Sequence, residues 1–269
     1  MWRGTHRRLQ RQGVIASDAS DESDRVVAVM AVRSSTVRFE PVRVGGYAED
    51  PAGCGRALAA ALNPLVQQDA RAVLVFPDGL LGNCTEMLRA FSAALRQTVP
   101  VVGGAAGDAL EFERTYQYLD GDAATNAVTA VLISGSGQFV IDVSHGCEAV
   151  GTALQITAAD GGWVRAINGR PAWDVYKEFL DGDPQDLNAE GMAHLSLAIE
   201  GTAGAPHGHG HFTIRTPLQL DKSDGALFFP GGSLEAGMTV RVARRDQEWI
   251  RETARASADV VRAVSRIHS

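Results

Sequence analysis

Short unbroken apolar runs and longer stretches of helical period alternate through the first half of this chain. Residues 26–32 (VVAVMAV), 73–76 (VLVF) and 99–102 (VPVV) are apolar runs of strand length, the pattern of strands covered on both faces. Residues 36–44 (TVRFEPVRV) alternate instead, with Val37, Phe39 and Pro41 on one face and Arg38 and Glu40 on the other. Pro41 has no backbone N–H, which places this strand at a sheet edge or ends it there. Between these runs lie two helices with clear punctuation. Asp50 and Pro51 open the first, Cys54, Leu58, Ala61 and Leu62 form its apolar stripe, and Pro64 ends it. Asn83 opens the second, with Glu86 in capping-box position and Met87, Leu88, Phe91, Ala94 and Leu95 facing inward. Strand, helix and strand over residues 73–102 predict a parallel pair with a right-handed crossover.

The second half reads mainly as β-structure. Residues 113–118 alternate up to the turn Asp120-Gly121. Residues 127–133 and 138–143 are strand-like and flank Ser134-Gly135-Ser136-Gly137, a hairpin signal. A second hairpin joins residues 154–157 and 163–167 around Asp160-Gly161-Gly162, and Asn168-Gly169 turns into a helix near Pro171 that carries Trp173, Tyr176 and Leu180. Residues 187–199 have a helical pattern interrupted by Gly191. Residues 212–220, 226–229 and 238–242 predict an antiparallel meander, followed by a helix from Gln247 with the stripe Ile250, Ala254, Val261 and Val264. The fold class expected is therefore α/β (α+β), with mixed sheets flanked by helices, and the length suits one large or two ordinary domains.

Candidate chemistry gathers where the strand at 99–102 ends. There the chain loses its side chains at Gly103-Gly104-Ala105-Ala106-Gly107 and meets a carboxylate, Asp108. A bare loop at a strand end exposes backbone N–H groups where α/β sheets commonly bind small ligands. No Lys-Ser/Thr follows, so this is not a P-loop, and the glycine spacing is not that of a dinucleotide fingerprint. The other reading is a tight turn packed against a neighbour. A ligand reading gives Gly103, Gly104, Ala105 and Gly107 as main-chain donors, Asp108 as ammonium acceptor and Arg215 as bidentate carboxylate donor. Thr115, Tyr116, Ser144 and His145 supply neutral hydrogen bonds. Against this stand Asp108 as a turn cap and Arg215 as a surface ion-pair partner.

Composition narrows the classes. The chain has 269 residues, 45% hydrophobic and 21% charged, with a formal net charge of −7. No basic patch stands out, which argues against a nucleic-acid partner, and no apolar run has the length of a membrane span. Cys54, Cys84 and Cys147 lie far apart and form no CxxC, so the expected setting is a reducing cytoplasm. Cys54 belongs to the helical stripe and reads as core. A hydrolase alternative would use Cys147 activated by His145, or a metal on His207, His209 and His211, whose alternate spacing puts three imidazoles on one side of an extended chain. A protein-interaction scaffold is the third possibility. No cofactor is called for.

Five stretches in order resemble one family. They are residues 101–108 (VVGGAAGD), 115–118 (TYQY), 144–146 (SHG), 167–172 (INGRPA) and 224–229 (DGALFF). Together they resemble the FIST-domain proteins, the F-box and intracellular signal transduction family, over nearly the whole chain. The resemblance implies two consecutive domains packed together, an N-terminal FIST domain over residues 1–143 and a C-terminal one over residues 144–269. It also implies a sensory role with amino acids or their derivatives as ligands, and a signalling protein as partner. In bacteria such domains occur alone or joined to signalling outputs; in animals they sit beside an F-box. No F-box, kinase, receiver or cyclase segment is recognisable in these residues. The family usually has Trp where this chain has Cys147. Its pattern also begins before the counterpart of Val26 and runs past that of Ser269, which implies a chain lacking elements at both ends.

Overall fold

The computed structural model describes residues 14–15, 20–21, 29–108, 113–136, 139–181, 184–187, 195–200, 212–231 and 234–267. The fold is of the α/β class, with mixed and antiparallel sheets, helices and two consecutive compact units, residues 1–139 and 140–269.

The first unit holds β1 (Val14–Ile15), β2 (Ser20–Asp21), β3 (Val37–Gly45), α1 (Pro51–Leu62), β4 (Ala70–Pro77), α2 (Cys84–Ala94), β5 (Val101–Gly103), β6 (Gln117–Leu119), β7 (Asp122–Ala124) and β8 (Ala127–Gly135). Its main sheet has the order β3-β8-β4-β5, and β4 and β5 run parallel as the strand–helix–strand pattern predicts. β3 lies at an edge, where Pro41 costs no ladder hydrogen bond. Both helices start as their sequences dictate. Asp50 Oδ1 accepts from the Gly53 N–H at 2.6 Å, and Asn83 Oδ1 accepts from the Glu86 N–H at 3.1 Å. The helices pack on one sheet face around Leu58, Leu62, Val73, Val75, Phe91 and Leu132. They cross at Gly55, where a Cβ would lie 2.3 Å from the Met87 carbonyl oxygen, so a bare α-carbon is needed at that contact. β6 and β7 form a hairpin tied to β3 by Arg43, which donates to the carbonyls of Gln117 and Asp122 and pairs with the Asp122 carboxylate.

Two expectations fail here. Of the strand expected over residues 138–143, the described residues 139–143 do not return beside β8, because β8 already has β3 on one side and β4 on the other. Residues 139–143 are coil with exposed Phe139, Ile141 and Val143. Residues 29–32, the described part of the first apolar run, are coil as well, with Val29 and Met30 exposed.

The second unit holds β9 (Cys147–Asp160), β10 (Trp163–Ile167), β11 (Arg170–Pro171), α3 (Ala172–Tyr176), a 3-10 turn (Lys177–Phe179), β12 (Leu195–Glu200), β13 (Phe212–Arg215), β14 (Gln219–Asp221), β15 (Ala226–Phe228), β16 (Thr239–Arg245) and α4 (Gln247–Ile267). Its sheet has the order β13-β12-β16-β9-β10-β15-β14, with β11 paired to β10. Ile156, Val164, Leu197, Leu227 and Val240 form the core with Trp173 and Tyr176 of α3. The Tyr176 hydroxyl donates to the Leu195 carbonyl at 2.8 Å, so this buried phenol is satisfied. The two-residue turns Gly161-Gly162 and Asn168-Gly169 have positive φ at both positions, as does Asp120-Gly121 in the first unit. That is the geometry whose twist matches a tight hairpin.

The predicted meander is not observed. The single strand expected over residues 212–220 breaks at residues 216–218, where Pro217 cannot donate, and its halves lie at opposite edges of the sheet as β13 and β14. Residues 195–200 are strand rather than helix, paired on both sides by β13 and β16. α4 has its predicted span, but Ile250, Ala254 and Val261 of the stripe are exposed while Thr253 is buried.

Candidate functional site

The glycine stretch continues β5 along β4. The Gly104 N–H donates to the Val75 carbonyl at 3.2 Å and the Ala106 N–H to that of Pro77 at 2.9 Å, and Asp78 bridges to Ala106. These bonds occupy two of the loop's main-chain donors. Gly103 is bare for packing reasons, since a Cβ there would stand 1.8 Å from the Val75 oxygen. Gly104 differs: a Cβ there would meet nothing within 4 Å. Beside this segment opens a cavity of about 150 Å³. Val75, Pro77, Val101 and Val102 line it from the strands, Cys84 and Leu88 from α2, and Gly103, Gly104 and Ala105 from the loop. It lies at the carboxyl end of a parallel strand pair and against the first turn of a helix, where α/β sheets place ligands.

The supporting shell comes from residues that sequence reasoning passed over. Asp78 is buried, and its carboxylate accepts from the N–H groups of Leu80 at 2.9 Å, Leu81 at 3.2 Å and Asn126 at 3.2 Å. It thereby fixes the β4–α2 loop that ends at Cys84. Its signal was Pro77-Asp78-Gly79, readable as a turn but not as a buried anchor. Tyr47 lies buried behind this loop, and its hydroxyl interacts with the Cys84 side chain. Burial pushes the Tyr47 hydroxyl well above the ordinary phenol range, reinforced by Cys84, Cys54 and Asp78. Burial likewise pushes the Cys54 thiol up to about 11, with Asp50 adding to the effect. Cys54 belongs to the α1 core cluster.

Asp108 Oδ2 accepts from the N–H groups of Glu113 at 2.7 Å and Arg114 at 3.2 Å, which makes it the clamp of its own loop. Thr115 is buried and its hydroxyl accepts from Gln117 Nε2 at 3.3 Å, while Tyr116 is exposed with its ring 6.4 Å from that of Tyr118. Gly107 is exposed. Neither Asp108, Thr115 nor Tyr116 lines the cavity.

Ser144, His145, Cys147 and Arg215 belong to the second unit. Ser144 bonds to the Ser257 hydroxyl at 2.8 Å. The His145 ring lies tilted against that of Phe212, centroids 4.8 Å apart with 37° between the planes. Its Nδ1 accepts from the Cys147 N–H at 3.3 Å and its Nε2 lies 3.2 Å from the Phe212 carbonyl, an arrangement that assigns the ring proton to Nε2. Both nitrogens are thus engaged by main chain, and Nδ1 meets the backbone of Cys147 rather than a nucleophile. The Cys147 thiol is raised above its ordinary value by burial, against the opposing influence of Arg245. Gly146 lets α4 pass, because a Cβ there would lie 2.5 Å from the α-carbon of Ile250. Arg215 donates to the Ile214 carbonyl at 3.2 Å. A separate cleft of about 330 Å³ is lined by Glu148, Arg244, Asp246, Glu248, Trp249 and Glu252. His207, His209 and His211 lie outside the described residues, among which no group of three His, Cys, Asp or Glu side chains could hold a metal. No helix of the described residues is long and apolar enough to cross a membrane.

Comparison with known proteins assigns both halves. Residues 11–170 match the FIST N domain and residues 172–267 the FIST C domain. An uncharacterized protein of Mycobacterium tuberculosis is 30% identical over 169 residues, 62% of this chain and 42% of that protein. One of Mycobacterium bovis is 30% identical over the same length, 62% of this chain and 41% of that protein. One of Methanocaldococcus jannaschii is 29% identical over 83 residues, 31% of this chain and 16% of that protein. The aligned part of the chain thus spans about two fifths of the length of its mycobacterial relatives. No solved structure matches. With both domain models matched in order across residues 11–267, the chain belongs to the FIST family, whose domains are signal-transduction sensory domains.

Proposed function

We propose that this protein is a non-catalytic small-molecule sensor whose ligand occupies the cavity beside Gly103, Gly104 and Ala105. The ligand class is amino acids or their derivatives, and the signal passes to a partner protein. One observation carries the reading: the chain sheds its side chains where a cavity opens at the ends of two parallel strands. The engaged nitrogens of His145 and the raised thiol of Cys147 support binding over nucleophilic chemistry, which needs a base aimed at a thiolate.

The test is a thermal-shift screen with the amino acids and their N-acetyl and ester derivatives, followed by calorimetry. At least one compound is expected to raise Tm saturably, as any ligand specific to the folded state must. Gly104→Leu fills open space without a backbone clash, so it is expected to keep the native circular dichroism and lose the shift. A full panel without any saturable shift would falsify the proposal.

A further inference from the structure

We infer that the cavity beside Gly103, Gly104 and Ala105 accepts an uncharged apolar group of about the size of a benzene ring, so that its ligand is recognised by a hydrophobic end. The inference rests on the reading of this cavity as the ligand site and adds the chemistry it selects. Its volume of about 150 Å³ is that of an apolar protein cavity able to hold benzene, although this one is open on one side. Val75, Leu88 and Val101 make the walls, and the lining residues include no carboxylate, amine, guanidinium or imidazole. A charge pressed against these walls would lose part of its water and meet no charged side chain among the lining residues.

The polar options are few. The Gly104 and Ala106 N–H groups already donate to β4. The one side chain with a heteroatom is Cys84, whose thiol interacts with the Tyr47 hydroxyl and presents a polarizable sulfur suited to an aromatic or thioether partner. Among amino-acid side chains these walls suit phenylalanine, leucine, isoleucine and methionine. Arginine and lysine would bring in a positive charge with no carboxylate among the lining residues to meet it. The ligand's polar end then stays at the mouth, beside the open space at Gly104.

The experiment uses the intact chain with benzene and n-butylammonium chloride as probes of similar size and opposite character. Amide resonances of Gly103, Gly104 and Ala105 are followed by ¹H–¹⁵N NMR, and labelling of Cys84 by iodoacetamide is followed by mass spectrometry. Benzene is expected to shift those amides saturably and to slow Cys84 labelling at least fivefold. Butylammonium at the same concentration is expected to do neither. Leu88→Trp, which fills the cavity, is expected to abolish the benzene response; if it does not fold, the Cys84 protection in the native chain decides alone. Benzene without effect on amides and labelling, or butylammonium as effective as benzene, overturns the inference. An amino acid that stabilises the protein while benzene fails leaves the sensory reading standing and removes this one. Benzene binding with an unresponsive amino-acid panel does the reverse.

Discussion

Asp78 shows at residue scale how one buried carboxylate can hold a site that it does not line. Its oxygens accept three backbone N–H groups from two loops. Replacing it with Ala removes the acceptor from three half-buried donors, at a cost of about 1–3 kcal/mol. Urea denaturation of Asp78→Ala is expected to show that loss, with the loop before Cys84 losing amide protection first. The thiols give a second check. Cys54, with its pKa near 11, and buried Cys147 are expected to alkylate far more slowly at pH 8 than half-buried Cys84. Because burial favours the neutral thiol in the folded state, the stability contributed by Cys54 is intact below its ordinary pKa of 9.0 and is lost as pH rises toward 11. Urea midpoints taken from pH 7 to pH 10.5 should therefore fall, and fall less in Cys54→Ala. At this scale the caps Asp50 and Asn83 and the core role of Cys54 were legible, since each is set by neighbours within its own helix. Asp78 and Cys84 were not, because their partners Asn126 and Tyr47 come from distant parts of the chain.

At the scale of elements, the crossing of α1 and α2 depends on Gly55. A Val there must move Met87 or open the helix pair, and overpacking of this kind costs about 1–3 kcal/mol. Gly55→Val is expected to lower the midpoint of chemical denaturation accordingly, and Leu88, next to Met87, carries that displacement to the cavity wall. The parallel pair β4–β5 was readable because its strands, its helix and its caps all lie within residues 70–103. The strand over 195–200 was hidden by a helical pattern, which pairing with β13 and β16 overrides. The split at Pro217 had a visible cause, yet nothing local indicated that the two halves would part to opposite edges.

At the scale of the molecule, the two matched domain segments meet at β11, inside the eight-stranded sheet of the second unit. β9 and β10, from the end of the FIST N segment, join β16 to β15 in that sheet. A fragment of residues 172–269 would keep β12, β13 and β16 apart from β14 and β15 with nothing between them. It is expected to show no cooperative thermal transition. A fragment of residues 140–269 retains every strand of the sheet and is expected to melt cooperatively with near-ultraviolet circular dichroism preserved. Equal behaviour of the two fragments would contradict the central role of the β9–β10 hairpin.

The sequence by itself determined the helix starts, the tight turns at Asp120-Gly121, Gly161-Gly162 and Asn168-Gly169, the parallel pair and the family. All rest on interactions within a few residues or on motif order. Tertiary structure decided which strands compete for each edge, and so left residues 139–143 unpaired and sent β13 and β14 apart. It also decided that the bare glycine segment would border an apolar cavity rather than face Asp108. The physical reason is that φ limits and capping bonds act over a turn of chain, whereas strand partners and cavities are set by packing between segments far apart in sequence.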